Sequence, residues 1–539
     1  MERRGCEKIS TFIKSDLGGT MRHKSSLRFL AAVIGVVVLG AAASACSSSK
    51  DSSPTTTTVF SSPVAEATIK GPISGGKGFV VLAPTPPQEG QPSTVFDLKT
   101  VGYQEDEYFL SGNATAYTSD AALTADGMWT TRSAGTAPYA SRVVIRRPSD
   151  PKKFNGTVIV EWLNVTAGLD TAPDWTYMAP EIIRSGFAWV GVSAQKVGIE
   201  GGGMVIGVDR VLKSFDPARY SSLSHPGDNY SYDIFSQAGA AVRRNASTLL
   251  GDLKVKTVIG MGESQSASRL TTYVDAVAPT AKVFDGYFIH SRSGSAAQLS
   301  VDPLPAMAPP LGTTIRTDLG KPVLTFSSET DVAGAKGYNK ARQPDTDTFR
   351  GWEATGTAHA DYYDLGGGGF DTGDGKNDIT YFNSMLAPPK SVYDNLITCA
   401  DGINTGPHTY ILRAALRDLN LWITKKQVPV SQPQLEVDAA GTGYNVDELG
   451  IAKGGIRTPH VDVPIAVLTG LGQKGNAFCS LFGGTVPLTS AALTTKYATH
   501  DAFVTKFSEA TKKAATAGAI LNDDVEHLIA AAKASKVLQ

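Results

Sequence analysis

Short, nearly continuous apolar runs mark the middle of the chain, and segments of helix length separate the first of them. The runs occupy residues 157–162, 188–192, 257–261, 283–289 and 322–326. Uninterrupted apolar strands are typical of a parallel sheet covered on both faces, because neither side of such a strand meets water. The pattern therefore predicts strands that alternate with helices in right-handed βαβ units.

The flanking patterns complete the predicted fold. Strand-like stretches at 103–110 and 142–147 indicate an antiparallel edge, and the first long helices are expected at 175–185 and 232–250. We predict the α/β class, with a mostly parallel central sheet, helices on both faces and an additional C-terminal region of helices and loops. That region covers about residues 380–539, with helices at 408–425 and 523–536, and forms either a cap over the site or a separate lobe.

A glycine-rich segment at 361–378 carries several aspartates. This composition predicts a mobile surface loop. Asp371, Asp374 and Asp378 do not have the spacing of an EF-hand loop, so no calcium site is predicted there.

The N-terminus has the pattern of an export signal. Basic residues such as Arg22 and Arg28 precede an apolar stretch at 29–39, and small residues then lead to Cys46. Cys46 resembles the acylated cysteine of bacterial lipoproteins. We expect a lipid anchor on the outer side of the cytoplasmic membrane; a plain secretory signal or an uncleaved anchor helix is the alternative. Met21 is a candidate start.

The predicted export signal divides the chain into three segments. Residues 1–45 are the N-terminal extension with the lipoprotein-type signal, and 46–75 form a disordered tether rich in Ser and Thr. Residues 76–539 then form the folded domain, which includes the C-terminal region. Oligomeric state is left open.

Composition narrows the function. Lys and Arg number 50 against 51 Asp and Glu, and 42% of the chain is hydrophobic. Without a basic surplus we expect no nucleic-acid partner, and a small-molecule ester is the expected substrate. No ligand cluster or phosphate-binding glycine loop indicates a metal or cofactor. Beyond Cys6 and Cys46, the two remaining cysteines, Cys399 and Cys479, predict a disulfide in an oxidising compartment.

A serine at a sharp turn follows the third apolar run. Gly262 and Ser266 flank Ser264 two positions away on either side. A nucleophile elbow needs small residues there because strand and helix backbones approach closely, although Ser266 replaces the usual glycine. We predict Ser264 as a nucleophile.

An acid and a histidine follow in the order that a serine triad on this fold requires. Glu329 and Asp331 come directly after the run at 322–326, and His359 follows a short strand and a glycine turn. We predict His359 as the base and Asp331 as the acid, with Glu329 as the alternative acid. The rival His290 precedes both acids and breaks the order.

The reaction also needs donors for a tetrahedral oxyanion. We expect one from the backbone N–H of Gln265 and a second from the loop after the run at 157–162, with Asn164 and Val165 as candidates. Asp174, further along that loop, is predicted to cap the N-terminus of the next helix.

With these residues assembled, the chain resembles a family of bacterial proteins described as α/β-hydrolase domain proteins, many of them exported. The likeness covers about residues 95–535. It is carried by the motif at 262–266 and by stretches at 101–103, 107–112, 160–165, 328–331, 356–361, 454–459 and 478–483. The resemblance implies an α/β-hydrolase fold and a triad of Ser264, His359 and Asp331 or Glu329.

The sequence thus predicts a serine hydrolase that cleaves carboxylic esters through an acyl-enzyme. Amide or peptide hydrolysis uses the same machinery and stays open. A non-catalytic binding protein on a hydrolase fold, anchored at the envelope, is the alternative from another class.

Overall fold

The computed structural model describes residues 60–74, 94–203, 211–334 and 336–539. The predicted signal segment, Cys46 and the first part of the tether lie outside these ranges. From Val59 to Gln539 the chain forms one compact unit. None of the helices within the described ranges has the length and apolar character needed to cross a membrane.

Nine strands form one sheet across the described residues. They are β1 (Thr68–Lys70), β2 (Tyr103–Thr118), β3 (Arg132–Pro148), β4 (Thr157–Trp162), β5 (Ala188–Val192), β6 (Thr257–Glu263), β7 (Gly286–His290), β8 (Val323–Ser328) and β9 (Phe349–Ala354). Their order is β1-β2-β3-β5-β4-β6-β7-β8-β9. Strands β1 to β3 pair antiparallel, β3 joins β5 antiparallel, and the other pairs are parallel. The predicted parallel sheet with an antiparallel edge is confirmed.

Two further pairs of short strands lie in the C-terminal region. They are β10 (Ser391–Val392) with β11 (Ile397–Thr398), and β12 (Ala466–Thr469) with β13 (Gly484–Pro487).

Helices cover both faces of the sheet. Their bounds are α1 (Pro173–Arg184), α2 (Lys196–Glu200), α3 (Leu212–Phe215), α4 (Pro217–Tyr220), α5 (Ser231–Arg244), α6 (Ala246–Leu250), α7 (Gln265–Thr272), α8 (Ala278–Ala281), α9 (Glu329–Val332), α10 (Lys376–Ser384), α11 (His408–Lys425), α12 (Pro459–Asp462), α13 (Ser490–Tyr497), α14 (His500–Thr516) and α15 (Asn522–Ala534). The helix predicted at 232–250 is divided between α5 and α6.

Strand β4 shows why its residues 158–160 are apolar at successive positions. Ile159 packs into the core with residues of α1 and α11, whereas Val158 and Val160 pack with residues of α5 and α7. Because alternate side chains point to opposite faces, a strand buried on both sides needs apolar residues at successive positions.

The predicted tether ended too late. Strand β1 belongs to the sheet, with Ile69 opposite Leu110 of β2. An edge strand pairs on one side only, so a short polar segment is sufficient to form it. The Ser/Thr/Pro-rich residues around β1 concealed this strand in the sequence. The ordered domain therefore begins before residue 76.

The C-terminal region is neither a separate lobe nor only a cap. Helix α11 packs against α1 and against β7 and β8, so it belongs to the layer that covers the sheet. Other residues of the same region, including Tyr393, Ile397, Phe478, Leu481 and Phe482, line a cavity next to Ser264. One region therefore completes the core and also shapes the site.

The prediction of a mobile, solvated loop at 361–378 was wrong. Asp361 and Asp371 are fully buried. Tyr177 donates a hydrogen bond to Asp361 over 3.1 Å, and Arg413 Nη2 lies 2.6 Å from Asp371 Oδ2. These partners are distant in sequence, so nothing local distinguished the aspartates from solvated ones.

Replacing Arg413 by methionine is expected to destabilise the protein by about 3–5 kcal/mol, because it leaves a buried carboxylate without its cation. The Arg413 side chain is 1% exposed and also lies 3.4 Å from Asp524. Urea unfolding would measure the loss. As a control, Arg132→Met removes an exposed pair with Asp120 and should leave the midpoint nearly unchanged. Equal midpoints for the two variants would contradict this account of the buried network.

Candidate active site

The turn that carries Ser264 joins β6 directly to α7. Ser264 has φ 59° and ψ −114°, a backbone conformation that is costly for a residue with a side chain. A Cβ on Gly262 would lie 3.1 Å from the carbonyl oxygen of Ser266, which explains why a glycine stands there. The strained turn presents the Ser264 hydroxyl at the carboxyl edge of the sheet.

Three side chains form one line of hydrogen bonds at this edge. Ser264 Oγ lies 2.7 Å from His359 Nε2, and His359 Nδ1 lies 2.6 Å from Asp331 Oδ1. All three residues are buried. Since Nδ1 faces the carboxylate, its proton is directed there, and Nε2 is left to accept a proton from the serine.

Short-range structure orients Asp331. Its second oxygen accepts hydrogen bonds from the backbone N–H and hydroxyl of Ser328, over 2.8 and 2.7 Å, at the start of α9. Burial acts to raise the pKa of Asp331, but its hydrogen-bonded contact with His359, together with the charge of Lys336 and the hydroxyl of Ser328, outweighs burial and holds that pKa below its ordinary value. Asp331 is thus held as a carboxylate.

The alternative acid, Glu329, lies elsewhere. Its carboxyl group accepts hydrogen bonds from the backbone N–H groups of Gly356 and Gly470, over 2.6 and 2.7 Å. Burial raises the pKa of Glu329 to about 7. The side chain therefore joins two loops and does not face the histidine.

The cavity in front of Ser264 has a volume of about 90 Å³. Its walls are mainly apolar. Polar groups lie near Ser264, and Asp364 and Tyr393 add two more. The lining includes Asn164, Thr166, Ala167, Thr171, Pro173, Glu263, Ser264, His359, Ala360, Asp364, Leu365, Tyr393, Ile397, Phe478, Leu481 and Phe482. Such a site suits a small molecule with an apolar part.

A family model described as "Alpha/beta hydrolase domain" matches residues 69–530. The chain belongs to this family. This confirms the family and the fold class predicted from the sequence, and it identifies the protein in general terms as a hydrolase.

Solved structures that match parts of this chain include hydrolases and esterases from bacteria and a fungus. An α/β serine hydrolase without a lid from Xanthomonas campestris is 14% identical, covering 44% of this chain and 85% of its own, with a TM-score of 0.24. A carboxylesterase from Lactobacillus plantarum is 11% identical over 38% and 73%, with a TM-score of 0.23. Esterases from Rhizomucor miehei are 12% identical over 48% and 82%, with a TM-score of 0.23. The search of curated proteins returns no match.

One of the oxyanion donors predicted for this α/β hydrolase has another partner. The backbone N–H of Asn164 donates to the carbonyl of Thr171 over 2.9 Å, because the two residues form an isolated β-bridge. That part of the prediction was wrong. The backbone N–H groups of Gln265, at the start of α7, and of Val165 remain the predicted donors.

The Asn164 side chain instead leads to a residue that the sequence analysis missed. Its Nδ2 donates to the Glu263 carboxyl over 3.0 Å, and Glu263 Oε1 lies 3.4 Å from His359 Nε2. Burial, followed by the charge of Asp364, raises the pKa of Glu263 well above its ordinary value. This shift favours a neutral Glu263 carboxyl group beside His359 Nε2. In the sequence, the position of Glu263 directly before Ser264 could have indicated that it belongs to the site.

Lys336 was also missed. Its Nζ lies 3.2 Å from His359 Nε2. Burial and then the charge of Lys336 lower the pKa of His359, and together they outweigh the opposing effect of Asp331. A neutral imidazole, the form that accepts a proton, is therefore favoured.

The rival His290 lies in a separate buried cluster with Asp174 and His408. Its Nδ1 lies 2.8 Å from Asp174 Oδ1, and its Nε2 lies 2.9 Å from His408 Nε2. Burial lowers the pKa of His290 to about 3. Its backbone carbonyl accepts a hydrogen bond from Ser264 N over 2.8 Å.

The predicted capping role of Asp174 was wrong. Ala172 occupies the cap position of α1, and the Asp174 side chain faces His290. The helix start is stabilised instead by Glu161 of β4, whose carboxyl group accepts from the N–H groups of Asp174 and Trp175 over 3.1 and 3.0 Å. A carboxylate from a neighbouring strand thus replaces the local cap.

Cys399 and Cys479 form a disulfide. The bond joins the loop after β11 to the short helical turn at Ala477–Leu481. Because the β10–β11 hairpin just before Cys399 and the turn around Cys479 both contribute side chains to the cavity, the disulfide fastens one wall of the site.

Proposed function

We propose that this protein is a serine hydrolase that cleaves carboxylic esters through an acyl-enzyme intermediate. The observation that carries the proposal is the line from Ser264 Oγ through His359 to Asp331, with distances of 2.7 and 2.6 Å, at the entrance of a largely apolar cavity. A nucleophile, a base and an orienting acid at hydrogen-bond distance are the geometric requirements for this chemistry.

In the proposed mechanism Ser264 Oγ attacks the ester carbonyl carbon while His359 Nε2 takes the hydroxyl proton. Asp331 stabilises the imidazolium that forms. The N–H groups of Gln265 and Val165 bind the oxyanion. The intermediate then expels the alcohol, which receives the proton from His359, and water attacks the acyl-serine by the same route to release the acid.

We further propose that the enzyme acts outside the cytoplasmic membrane, anchored through Cys46. The support is the sequence pattern of the N-terminus. The disulfide between Cys399 and Cys479 fits an oxidising compartment.

Stopped-flow hydrolysis of p-nitrophenyl acetate and butyrate tests the proposed reaction. An acyl-enzyme that forms faster than it breaks down gives a burst of p-nitrophenol near one equivalent of enzyme. The p-nitroanilides of the same acids separate ester from amide cleavage, and we expect the esters to react faster. Absence of turnover on every ester and anilide would favour the binding-protein alternative.

The Lys336→Met variant is expected to shift the acidic limb of the kcat/KM profile to higher pH. His359 works as the neutral base, so activity is present above its pKa and is lost as pH falls through it. Lys336 lowers that pKa, and removing its charge raises it. Profiles between pH 4 and 9 would measure the shift. Lys340→Met, which removes an exposed charge nearby, is the control; an unmoved limb in Lys336→Met would contradict the assignment.

A further inference from the structure

The cavity beside Ser264 contains a tyrosine hydroxyl that the fold itself does not use. Tyr393 lines the cavity with Ser264 and His359. Its Oη is buried and has no hydrogen-bond partner among the described residues. By contrast, the hydroxyls of Tyr177 and Tyr381 both donate to Asp361. A buried hydroxyl without a partner is costly to the folded state, so its retention in a binding cavity indicates a ligand atom.

The fold holds this tyrosine in an unfavourable backbone conformation. Tyr393, Asp394 and Asn395 form the turn between β10 and β11, and their φ angles are 54°, 54° and 67°. Residues with side chains rarely adopt left-handed conformations in succession. The disulfide from Cys399 to Cys479 fastens the segment just after β11. Tyr393 is therefore held against the cavity by a covalently closed structure.

Asp364 supplies a second polar group to the same cavity. Burial, followed by the charge of Asp361, raises the pKa of Asp364 well above its ordinary value. Burial, followed by Asp364, likewise raises the pKa of Tyr393. A protonated carboxyl and a phenol each donate and accept hydrogen bonds.

The surrounding wall is apolar, with Leu365, Ile397, Phe478, Leu481 and Phe482. We propose that Tyr393 and Asp364 form a recognition site for a hydroxyl group on the acyl or the alcohol half of the ester. The preferred substrates are thus hydroxyl-bearing esters rather than plain alkyl esters. A site built to hydrogen-bond a substrate hydroxyl discriminates strongly against the analogue that lacks it. This inference rests on the proposed esterase activity.

Two pairs of substrates that differ only by a hydroxyl in place of a methyl test it. Methyl 3-hydroxybutyrate is compared with methyl 3-methylbutyrate, and 2-hydroxyethyl butyrate with propyl butyrate, by titration of the released acid. In Tyr393→Phe, the ratio of kcat/KM for the hydroxyl ester to that for the methyl ester should fall about tenfold in at least one pair. Using this ratio cancels the intrinsic reactivity of each ester.

Two controls separate recognition from structure. Tyr362 packs against the same apolar cluster, and Tyr362→Phe should leave both ratios unchanged. Tyr393→Phe removes an oxygen without a partner in the described chain, so its melting temperature should equal or exceed that of the wild type. A clearly lower melting temperature would mean that the hydroxyl serves the fold, and it would overturn the inference.

The remaining outcomes distinguish failure of the hydroxyl site from failure of the proposed esterase activity. If the wild type hydrolyses these esters and Tyr393→Phe leaves both ratios unchanged, the hydroxyl site is overturned and the esterase stands. If the wild type hydrolyses neither these esters nor p-nitrophenyl acetate, the esterase proposal fails and the hydroxyl site fails with it.

Discussion

Replacing Ser264 by alanine is expected to lower kcat/KM for p-nitrophenyl butyrate by about 10³-fold or more. Loss of the nucleophile removes the acyl-enzyme route and leaves only binding and oxyanion stabilisation. The variant should stay folded, because the change removes one oxygen whose hydrogen-bond partner is His359. Steady-state rates and far-UV circular dichroism measure both expectations.

Ser268→Ala is the matched control for this variant. Ser268 lies one turn further along α7, and its hydroxyl donates to the backbone carbonyl of Ser264 over 3.3 Å. We expect it to keep activity within a few-fold of the wild type. A Ser264→Ala protein with activity close to that of Ser268→Ala would contradict the role given to Ser264.

Replacing Asp331 by asparagine is expected to lower kcat by about 10⁴-fold, because an amide turns the histidine to the wrong tautomer and cannot stabilise the imidazolium. Glu329→Gln is the matched control two residues away. It should keep activity within about tenfold of the wild type and lose about 1–3 kcal/mol of stability, since one amide N–H of Gly356 or Gly470 loses its acceptor.

The two variants distinguish the roles of the acids, because Asp331→Asn is expected mainly to lose activity and Glu329→Gln mainly to lose stability. Steady-state kinetics and urea unfolding on both proteins give the comparison. A Glu329→Gln variant that loses as much activity as Asp331→Asn would mean that Glu329, not Asp331, supports His359 in the working enzyme.

The parts of the fold that were predictable from sequence depend on local pattern. Strands β4 and β5 agree with the predicted runs to the residue, because burial on both faces requires apolar residues at successive positions. The elbow at Ser264 was visible for a related reason: the tight turn restricts which residues flank it.

The parts that escaped prediction depend on contacts between distant segments. The choice of Asp331 over Glu329 could be argued from its place after β8, but the geometry rests on Ser328 and on His359, which comes 28 residues later. Asn164 looked suitable as an oxyanion donor until the bridge to Thr171 was known.

The same limit applies to Tyr393. Nothing in the sequence around it indicates a binding residue. Its place beside Ser264 results from the disulfide-fastened hairpin of the C-terminal region, and the cysteine pattern predicted the bond but not the segments that it would bring to the cavity.

The most direct test of the central claim is covalent labelling with a fluorophosphonate, read by mass spectrometry of the intact protein and of its peptides. Such probes react with a serine that a neighbouring base activates. We expect one adduct per chain, located on Ser264 in the wild type and strongly reduced in His359→Ala. An unlabelled wild type, or an adduct on another serine, would contradict the assignment of Ser264 as an activated nucleophile.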